Sequence, residues 1–398
     1  ILNQVRLHGD KAVKEFALKF DGVSLGNLKV SDEEINQSCQ NISIELKNAI
    51  SIASRNIRSF HASQASDEKP IEIMEGVTCW RKCVPIENVG IYIPGGTAPL
   101  FSSILMLAIP AQIAGCKRIV LCTPSDSSGL INPAILYTAS YLGINEIYKI
   151  GGAQAIGAMA FGTESIFAVD KIFGPGNQYV TKAKEIVQKS GVAIDLPAGP
   201  SEVLIIADNA ADEEFIAADL LAQAEHGTDS QVVLLSNDES LNDRVGEAIK
   251  KQIKALPRYA IAKEVLKNSF SISFGTIERC IEFSNKYAPE HLILALSNAE
   301  KFSDRILNAG SVFVGNYSCE SAGDYASGTN HTLPTNGFAR NYSGVSYDSY
   351  VKKITYQKIS EQGLLNIGRT IEVMAEAEKL EAHKNAVTIR LKKICNEK

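Results

Sequence analysis

The sequence lacks the features typical of membrane, nucleic-acid-binding and disulfide-stabilised proteins. No run of about 18 apolar residues occurs, since the longest candidate, 104–114, is interrupted by Pro110 and Gln112. A formal net charge of -5 and a pI near 5.8 show no excess of basic residues of the kind that binds nucleic acid. The eight cysteines form no C-x-x-C pair and fit thiols in a reducing cytosol. We therefore expect a cytoplasmic protein with no membrane span, although a targeting segment before Ile1 stays open.

Standard nucleotide-binding and metalloprotease motifs are absent as well. Residues 174–179 (Gly-Pro-Gly-Asn-Gln-Tyr) have the first two glycines of G-x-G-x-x-G and lack the third. There is no G-x-x-x-x-G-K-[ST] loop and no H-E-x-x-H helix. A dinucleotide would therefore have to bind at an atypical site.

Short apolar runs alternate with helical segments from about residue 88 onward. The predicted strands are 89–93, 118–122, 146–150, 171–173, 202–207, 231–235, 291–296 and 311–314. The predicted helices are 102–115, 133–143, a segment ending at Gly162, 212–225, 241–256, 277–287 and the tail from Gln362. Alternation of helices with strands that are apolar throughout predicts mostly parallel sheets covered on both faces.

We therefore expect an α/β fold of two Rossmann-like doubly wound units with mostly parallel sheets, plus helical N-terminal and C-terminal segments. The predicted domains are a discontinuous one of 1–91 and 202–345, an inserted Rossmann-like one of 92–201, and a helical tail of 346–398. Ligands in such folds bind beyond the carboxyl ends of the strands. Gly-rich breaks at such ends make this edge a candidate ligand site, and they lie at 94–96, 151–152 and 174–176.

The chain contains six histidines, so each can be weighed. His8 and His61 lie in polar, helix-like surroundings and are predicted to be surface residues. His226 follows Gln223 by three residues at the end of a predicted helix that Gly227 stops, so the two side chains share one face. Taken alone, this pattern favours a histidine that interacts with the helix dipole over a metal ligand.

Two further segments carry histidine in a chemically suggestive setting. The pair Glu290-His291 begins an apolar strand, where it fits acid/base chemistry and a satisfied structural pair equally well. His331 closes segment 318–331, which shows neither helical nor strand periodicity and is predicted to be a loop; loops of that length are more often functional than not. His383, in the tail helix, has the surroundings of a surface histidine.

Together these segments resemble the signature blocks of the histidinol dehydrogenase family. The blocks that contain histidine are 221–227, 288–292, 321–331 and 382–387. Four further blocks, rich in glycine, proline or alanine, are 89–99, 151–155, 173–177 and 197–202. The blocks run in order from about residue 9 to residue 390, so the resemblance covers nearly the whole chain.

The resemblance implies a metal site shared between two subunits. It implies one Zn²⁺ per subunit, bound by Gln223, His226, Asp324 and His383. Imidazole nitrogen and carboxylate oxygen are common zinc ligands, whereas an amide oxygen is less usual. The family forms homodimers in which the tail histidine comes from the other subunit, which fits a helical tail that shows no core of its own.

The reaction implied is the oxidation of L-histidinol through L-histidinaldehyde to L-histidine with two NAD⁺, the last steps of histidine biosynthesis. His291 is implied as the general base and Glu290 as the group that activates water. Implied substrate contacts are Ser201, Gln223, His226, His291, Asp324, Glu378 and His383. In the inserted, NAD-associated domain the implied NAD⁺ contacts are Tyr92, Gln154 and Asn177, and His331 has a supporting role.

Three other functions fit parts of this pattern. A zinc hydrolase could activate water with a metal and a Glu-His pair, but it gives no reason for Gly-rich strand ends in two α/β units. A relative that oxidises another alcohol is disfavoured by Ser201, Glu378 and His383. A non-catalytic metal-binding protein would give no reason for Glu290 and His291 to accompany the four ligands. A requirement for NAD⁺ in turnover separates a dehydrogenase from the hydrolase.

Overall fold

The computed structural model describes residues 1–65, 68–95, 98–197 and 199–396, so Gly96 and Ala198 of the Gly-rich blocks lie outside the described residues. The chain divides into two compact units. Unit 1 comprises Ile1–Gln64 and Ile86–Tyr350, and unit 2 comprises Ala65–Pro85 and Val351–Lys398. The three predicted domains have other boundaries and stay a prediction.

Unit 1 begins with three helices. They are α1 (Leu2–Phe16), α2 (Asp32–Gln40) and α3 (Ile44–Ala62). A capping box begins α2, where Glu34 N donates to Ser31 Oγ and Ser31 N donates to Glu34 Oε2. Two strands that belong to unit 2 follow along the chain, β1 (Ile71–Met74) and β2 (Val77–Pro85).

The first parallel sheet has five strands in the order β5-β4-β3-β6-β7. Its elements are β3 (Asn88–Tyr92), α4 (Ser102–Ala114), β4 (Arg118–Thr123), α5 (Pro133–Tyr141), β5 (Glu146–Lys149), α6 (Gly152–Phe161), β6 (Lys171–Phe173), α7 (Gln178–Gln188) and β7 (Ala193–Ile194). The strand order reverses between β3 and β6, where doubly wound sheets open a crevice for ligands.

The second parallel sheet also has five strands, in the order β10-β9-β8-β11-β12. Its elements are β8 (Glu202–Ala207), α8 (Glu213–Ala224), β9 (Gln231–Ser236), α9 (Glu239–Gln252), α10 (Tyr259–Lys267), β10 (Phe270–Ser273), α11 (Ile277–Tyr287), β11 (His291–Ala295), β12 (Ser311–Val314) and α12 (Glu320–Tyr325). All residues of β8 and β11 are buried, because helices cover both faces of the sheet.

Unit 2 is a small antiparallel sheet followed by two helices. The strand β13 (Val351–Ile359) pairs with β2, and β2 pairs with β1. The helices α13 (Glu361–Ala377) and α14 (Glu381–Asn396) complete the unit. The strand β13 lies in the segment for which the sequence predicted a helical tail, and that prediction is wrong for these nine residues.

The predicted fold class is confirmed, since both main sheets are parallel and helices alternate with their strands. Two other predictions are wrong. Segment 318–331 contains the helix α12, and His61 is fully buried in α3 instead of lying at the surface. No helix in the described ranges is long and apolar enough to cross a membrane.

Candidate active site

A buried imidazole marks the amino edge of the second sheet. His291 is the first residue of β11, which pairs in parallel with β8, whose first residue is Glu202. His291 Nδ1 lies 3.3 Å from the carbonyl oxygen of Glu202. Because a carbonyl can only accept, Nδ1 carries a proton in this contact, and Nε2 is the ring nitrogen that accepts a proton when the ring is neutral. Nε2 has no hydrogen-bond partner among the described residues.

Three carboxylates surround this imidazole. Glu290 Oε2 lies 3.7 Å from His291 Nδ1 and accepts a hydrogen bond of 2.9 Å from Glu202 N. Glu320 Oε1 lies 4.0 Å from the same ring nitrogen, and Asp324 Oδ1 lies 3.6 Å from Nε2. All three carboxylates are buried, so their charges act on the imidazole through little water.

Burial and mutual charge shift the pKa values of three groups at this site. Burial lowers the pKa of His291, but the charges of Glu290, Glu320 and Asp324 outweigh it and raise that pKa to about 10. Burial raises the pKa of Glu290 to about 7 and the pKa of Glu320 to about 8, against the opposing charge of His291. Perturbed carboxyl groups of this kind are typical of sites that move protons.

Side chains able to hold a metal ion lie beside the imidazole. The ligand atoms of His226, Glu320 and Asp324 all lie within 4.8 Å of one another, and His226 Nε2 is 4.0 Å from Asp324 Oδ2. Gln223 is fully buried, and in the described part of the chain neither its Oε1 nor its Nε2 has a hydrogen-bond partner. A buried amide without a partner is costly, so a ligand to Gln223 is expected. These nitrogen and oxygen donors suit Zn²⁺.

The end of the helix α8 carries two of these residues, Gln223 and His226. Asp212 Oδ1 accepts hydrogen bonds from Glu214 N and Phe215 N and so caps α8, whose last turn holds Gln223. His226 N donates to Gln223 O where α8 ends. Both the end of α8 and the start of β11 therefore lie at the amino edge of the sheet. The sequence analysis placed a candidate ligand site at the carboxyl ends that follow the Gly-rich breaks, and it made no prediction about the sheet edge at which this group lies.

Glu320 is a candidate that the sequence analysis missed. It lies four residues before Asp324 on α12, so both side chains point to one face of that helix. The prediction of a structureless loop hid this spacing. An i, i+4 pair of carboxylates in 320–325 is the signal that could have revealed it.

His331 and Ser201 border this group. His331 is held between the carbonyl oxygen of Asp324 at Nδ1 and the hydroxyl of Ser103 at Nε2, each at 2.9 Å. It therefore fixes the backbone of a candidate ligand to α4. Ser201 lines a cavity of about 460 Å³ that also contains Glu202 and Tyr287.

The three candidate NAD⁺ contacts meet in one cavity at the carboxyl edge of the first sheet. Tyr92, Gln154 and Asn177 line a cavity of about 600 Å³, together with Asp21 and other residues. The Tyr92 hydroxyl accepts a 3.0 Å hydrogen bond from Gly152 N, and burial raises the pKa of Tyr92 to about 12. Here the candidate site does lie beyond carboxyl strand ends.

Glu378 and His383 belong to unit 2. Glu378 follows α13 directly, and His383 lies in the first turn of α14. Both side chains are exposed. The helix α14 packs on α13 of the same unit, yet in its described part every residue stays at least partly exposed.

Comparison with known proteins identifies the family of this chain. The family model described as histidinol dehydrogenase matches residues 1–391. The histidinol dehydrogenase of Bacteroides thetaiotaomicron is 58% identical over 391 residues, which span 98% of this chain and 91% of that protein. The histidinol dehydrogenase of Haemophilus influenzae is 52% identical over 394 residues, which span 99% and 91%.

Solved structures show the same relationship. The crystal structure of histidinol dehydrogenase from Elizabethkingia anophelis matches with a TM-score of 0.98 and 61% identity, covering 99% of this chain and 91% of that one. An NAD-dependent aldehyde dehydrogenase from Sinorhizobium meliloti shares the fold alone, with a TM-score of 0.51 and 15% identity over 82% and 81% of the chains. The chain therefore belongs to the histidinol dehydrogenase family and is an NAD-dependent oxidoreductase.

Proposed function

We propose that this enzyme oxidises L-histidinol through L-histidinaldehyde to L-histidine with two NAD⁺, and that it requires one Zn²⁺ per subunit. The observation that carries the proposal is the buried group of His291, Glu290 and Asp324, with His226 next to Asp324 as a candidate metal ligand. Such a group combines a base, a carboxyl group that can activate water, and donor atoms for a metal ion within one site.

Gln223, His226 and Asp324, with His383 from a second subunit, would hold the zinc ion. Glu320 is close enough to His226 and Asp324 to be a further or alternative donor. When bound, zinc supplies a positive charge that anchors and orients the amino and imidazole nitrogens of the substrate. Ser201 and Glu378 would add contacts to the substrate, and a carboxylate such as Glu378 suits an ammonium or an imidazole N–H.

His291 would accept the proton of the substrate hydroxyl, while the carbon that bears this hydroxyl transfers a hydride to NAD⁺. Its Nδ1–H is held by the Glu202 carbonyl, which aims Nε2 toward Asp324 and the substrate side. The carboxylates around the ring stabilise the imidazolium that forms when the proton arrives. The products of this step are the aldehyde, NADH and one proton on His291.

Glu290 would then help to convert the aldehyde to its hydrate. A second hydride can leave only from the gem-diol, so a water molecule must add to the aldehyde carbon. The pKa of about 7 allows Glu290 to accept a proton from that water near neutral pH. As the water adds, the proton on His291 would pass to the aldehyde oxygen, which leaves His291 neutral. Transfer of the second hydride to a second NAD⁺, with loss of a hydroxyl proton to His291, then gives the carboxylic acid.

NAD⁺ would bind in the cavity lined by Tyr92, Gln154 and Asn177. Its position at the carboxyl edge of a doubly wound sheet is where dinucleotides bind in this fold class. The exposed His383, on a helix of which no described residue is fully buried, supports a homodimer with shared sites. We also infer a cytoplasmic location, which the free thiols of the described cysteines fit.

The first test is the stoichiometry of NADH formation and its dependence on metal. We expect two NADH for each L-histidinol consumed, loss of turnover after treatment with a chelator, and its return when Zn²⁺ is added. Full turnover in enzyme shown to be free of metal would remove zinc from the proposal. One NADH for each alcohol, with release of the aldehyde, would remove the second oxidation.

A further inference from the structure

We propose that Lys184 and Asp195 are positioning residues that hold the cofactor loop, residues 174–177, in the shape that binds NAD⁺. The inference rests on the proposed NAD⁺ site, because Asn177 at the end of this loop lines that cavity. Neither Lys184 nor Asp195 lines the cavity itself, so both would act through the loop.

Both backbone groups of Gly174 are bound by this ion pair. Gly174 N donates to Asp195 Oδ2 at 2.8 Å, and Lys184 Nζ donates to Gly174 O at 2.9 Å. Lys184 Nζ lies 2.5 Å from Asp195 Oδ1, which also accepts a 2.8 Å hydrogen bond from Leu196 N. The three residues therefore form a closed network that sets the height of the loop above the end of β6.

The loop begins in a conformation that needs this support. Gly174 has a φ of +124°, and a Cβ placed there would lie 2.0 Å from Tyr92 O. The backbone of Gly174 thus passes directly against β3 at another residue that lines the cavity. A shift of Gly174 would move the loop and the Tyr92 side of the cavity together.

The other end of the loop is tied to the same helix that carries Lys184. Asn177 Oδ1 accepts hydrogen bonds from Tyr179 N and Val180 N and so caps α7. Its amide nitrogen is left for a ligand. Because Lys184 reaches back from α7 to Gly174, the helix and the loop form one ring whose position depends on the ion pair.

Burial and charge favour a positioning role for this pair. The side chains of Lys184 and Asp195 are 5% and 1% exposed, so desolvation offsets much of their attraction. A pair of this kind is therefore a weak source of stability, whereas its fixed hydrogen bonds restrict the loop to one arrangement. Binding a flexible dinucleotide benefits from such a preformed site.

The test is the neutral double variant Lys184→Met/Asp195→Asn, which removes both charges of the ion pair together. We expect KM for NAD⁺ to rise by about tenfold, the size of effect that loss of one charged hydrogen bond produces. KM for L-histidinol, zinc content and kcat at saturating NAD⁺ should stay within about twofold of the parent enzyme, since the network touches none of the groups at the second sheet. An unchanged KM for NAD⁺ in the folded double variant overturns the proposal.

A matched control lies at the opposite edge of the same sheet. Arg118 and Glu146 begin β4 and β5 and form a 2.7 Å ion pair. The variant Arg118→Met/Glu146→Gln should lower thermal stability and leave KM for NAD⁺ unchanged. An equal rise of KM in this control would show a general effect of destabilisation and would overturn the positioning role.

Two further variants separate the possible failures. Gln154→Ala removes a cavity side chain, so an unchanged KM for NAD⁺ there would refute the proposed cofactor site itself. A raised KM in Gln154→Ala with an unchanged KM in the double variant refutes the positioning role alone. If the double variant does not fold, Lys184→Arg decides in its place, because its planar guanidinium cannot reproduce both contacts of the ammonium. A raised KM for NAD⁺ supports the proposal, and an unchanged one overturns it.

Discussion

At the scale of single residues, the chemistry of the site follows from what surrounds one ring. His291 has a carbonyl at Nδ1, and three carboxylates lie within 4.0 Å of its ring nitrogens. In water an imidazole and a carboxyl titrate about two pH units apart, with histidine the weaker acid. Burial raises the pKa of Glu290 to about 7, and the surrounding carboxylates raise the pKa of His291 above its ordinary value. A cation bound by Asp324 would lower the pKa of His291 and so favour the neutral imidazole.

The substitution His291→Asn tests the base at this scale. The Asn side chain can still donate to the Glu202 carbonyl, but nothing replaces Nε2. We expect kcat to fall by about 10²–10⁴-fold, the usual contribution of a general base. Steady-state kinetics with zinc content measured on the same sample checks this, and a kcat near that of the parent enzyme would exclude His291 from proton transfer.

At the scale of elements, the sequence predicted some helices and strands with their bounds and missed one short helix. The helix Ile277–Tyr287 and the strand Ser311–Val314 have the predicted bounds. By contrast, α12 has six residues, too few for a period to stand out among glycine and serine. Its packing on α8 decides its conformation, and that contact is not local in sequence. Because the sequence analysis did not predict α12, it also missed Glu320 as a candidate site residue.

The buried His61 in α3 leads to a prediction about stability and pH. Burial lowers its pKa below the ordinary value of 6.5, against a hydrogen bond to Gln64. The unfolded chain therefore takes up a proton before the folded one as the pH falls. The stability that neutral His61 contributes is present above pH 6.5 and is lost below it.

We expect the variant His61→Asn to lose less free energy of unfolding than the parent protein between pH 8 and pH 5. Urea unfolding at the two pH values measures the difference. The exposed His8 in α1 gives the matched control, because His8→Asn should leave the pH dependence of the parent protein unchanged. An equal loss in His61→Asn and the parent protein would mean that His61 does not set this dependence.

At the scale of the whole molecule, the proposed site needs residues of both units and a second subunit. The chain provides Asp324 in unit 1 and His383 in unit 2. In a mixed dimer of His383→Ala with Asp324→Asn, one site receives both intact residues and the other site receives neither. Random pairing of these two inactive variants should restore about one quarter of parental activity, since half the dimers are mixed and one site in each works.

Co-expression of the two variants, followed by an assay of the whole mixture, measures this rescue. When different affinity tags are used to purify the mixed dimer, about half of parental activity is expected, because one of its two sites works. Pairing Asp324→Asn with Gln223→Ala is the control, because both changes lie in unit 1 and every site keeps one defect. Activity of the first pair no higher than that of the control would place His383 in the site of its own chain or outside any site.

The sequence by itself determined the fold class, most strands and helices of the two parallel sheets, and the segments that carry the chemistry. These are local properties, because apolar runs, glycine breaks and short motifs are written in consecutive residues. The tertiary structure alone decided that His226, Glu320 and His291 meet at the amino edge of one sheet. It also decided that Lys184 and Asp195 both bind Gly174. Strand pairing and helix packing join residues far apart in the chain, and the burial that results shifts the pKa values on which the proposed chemistry depends.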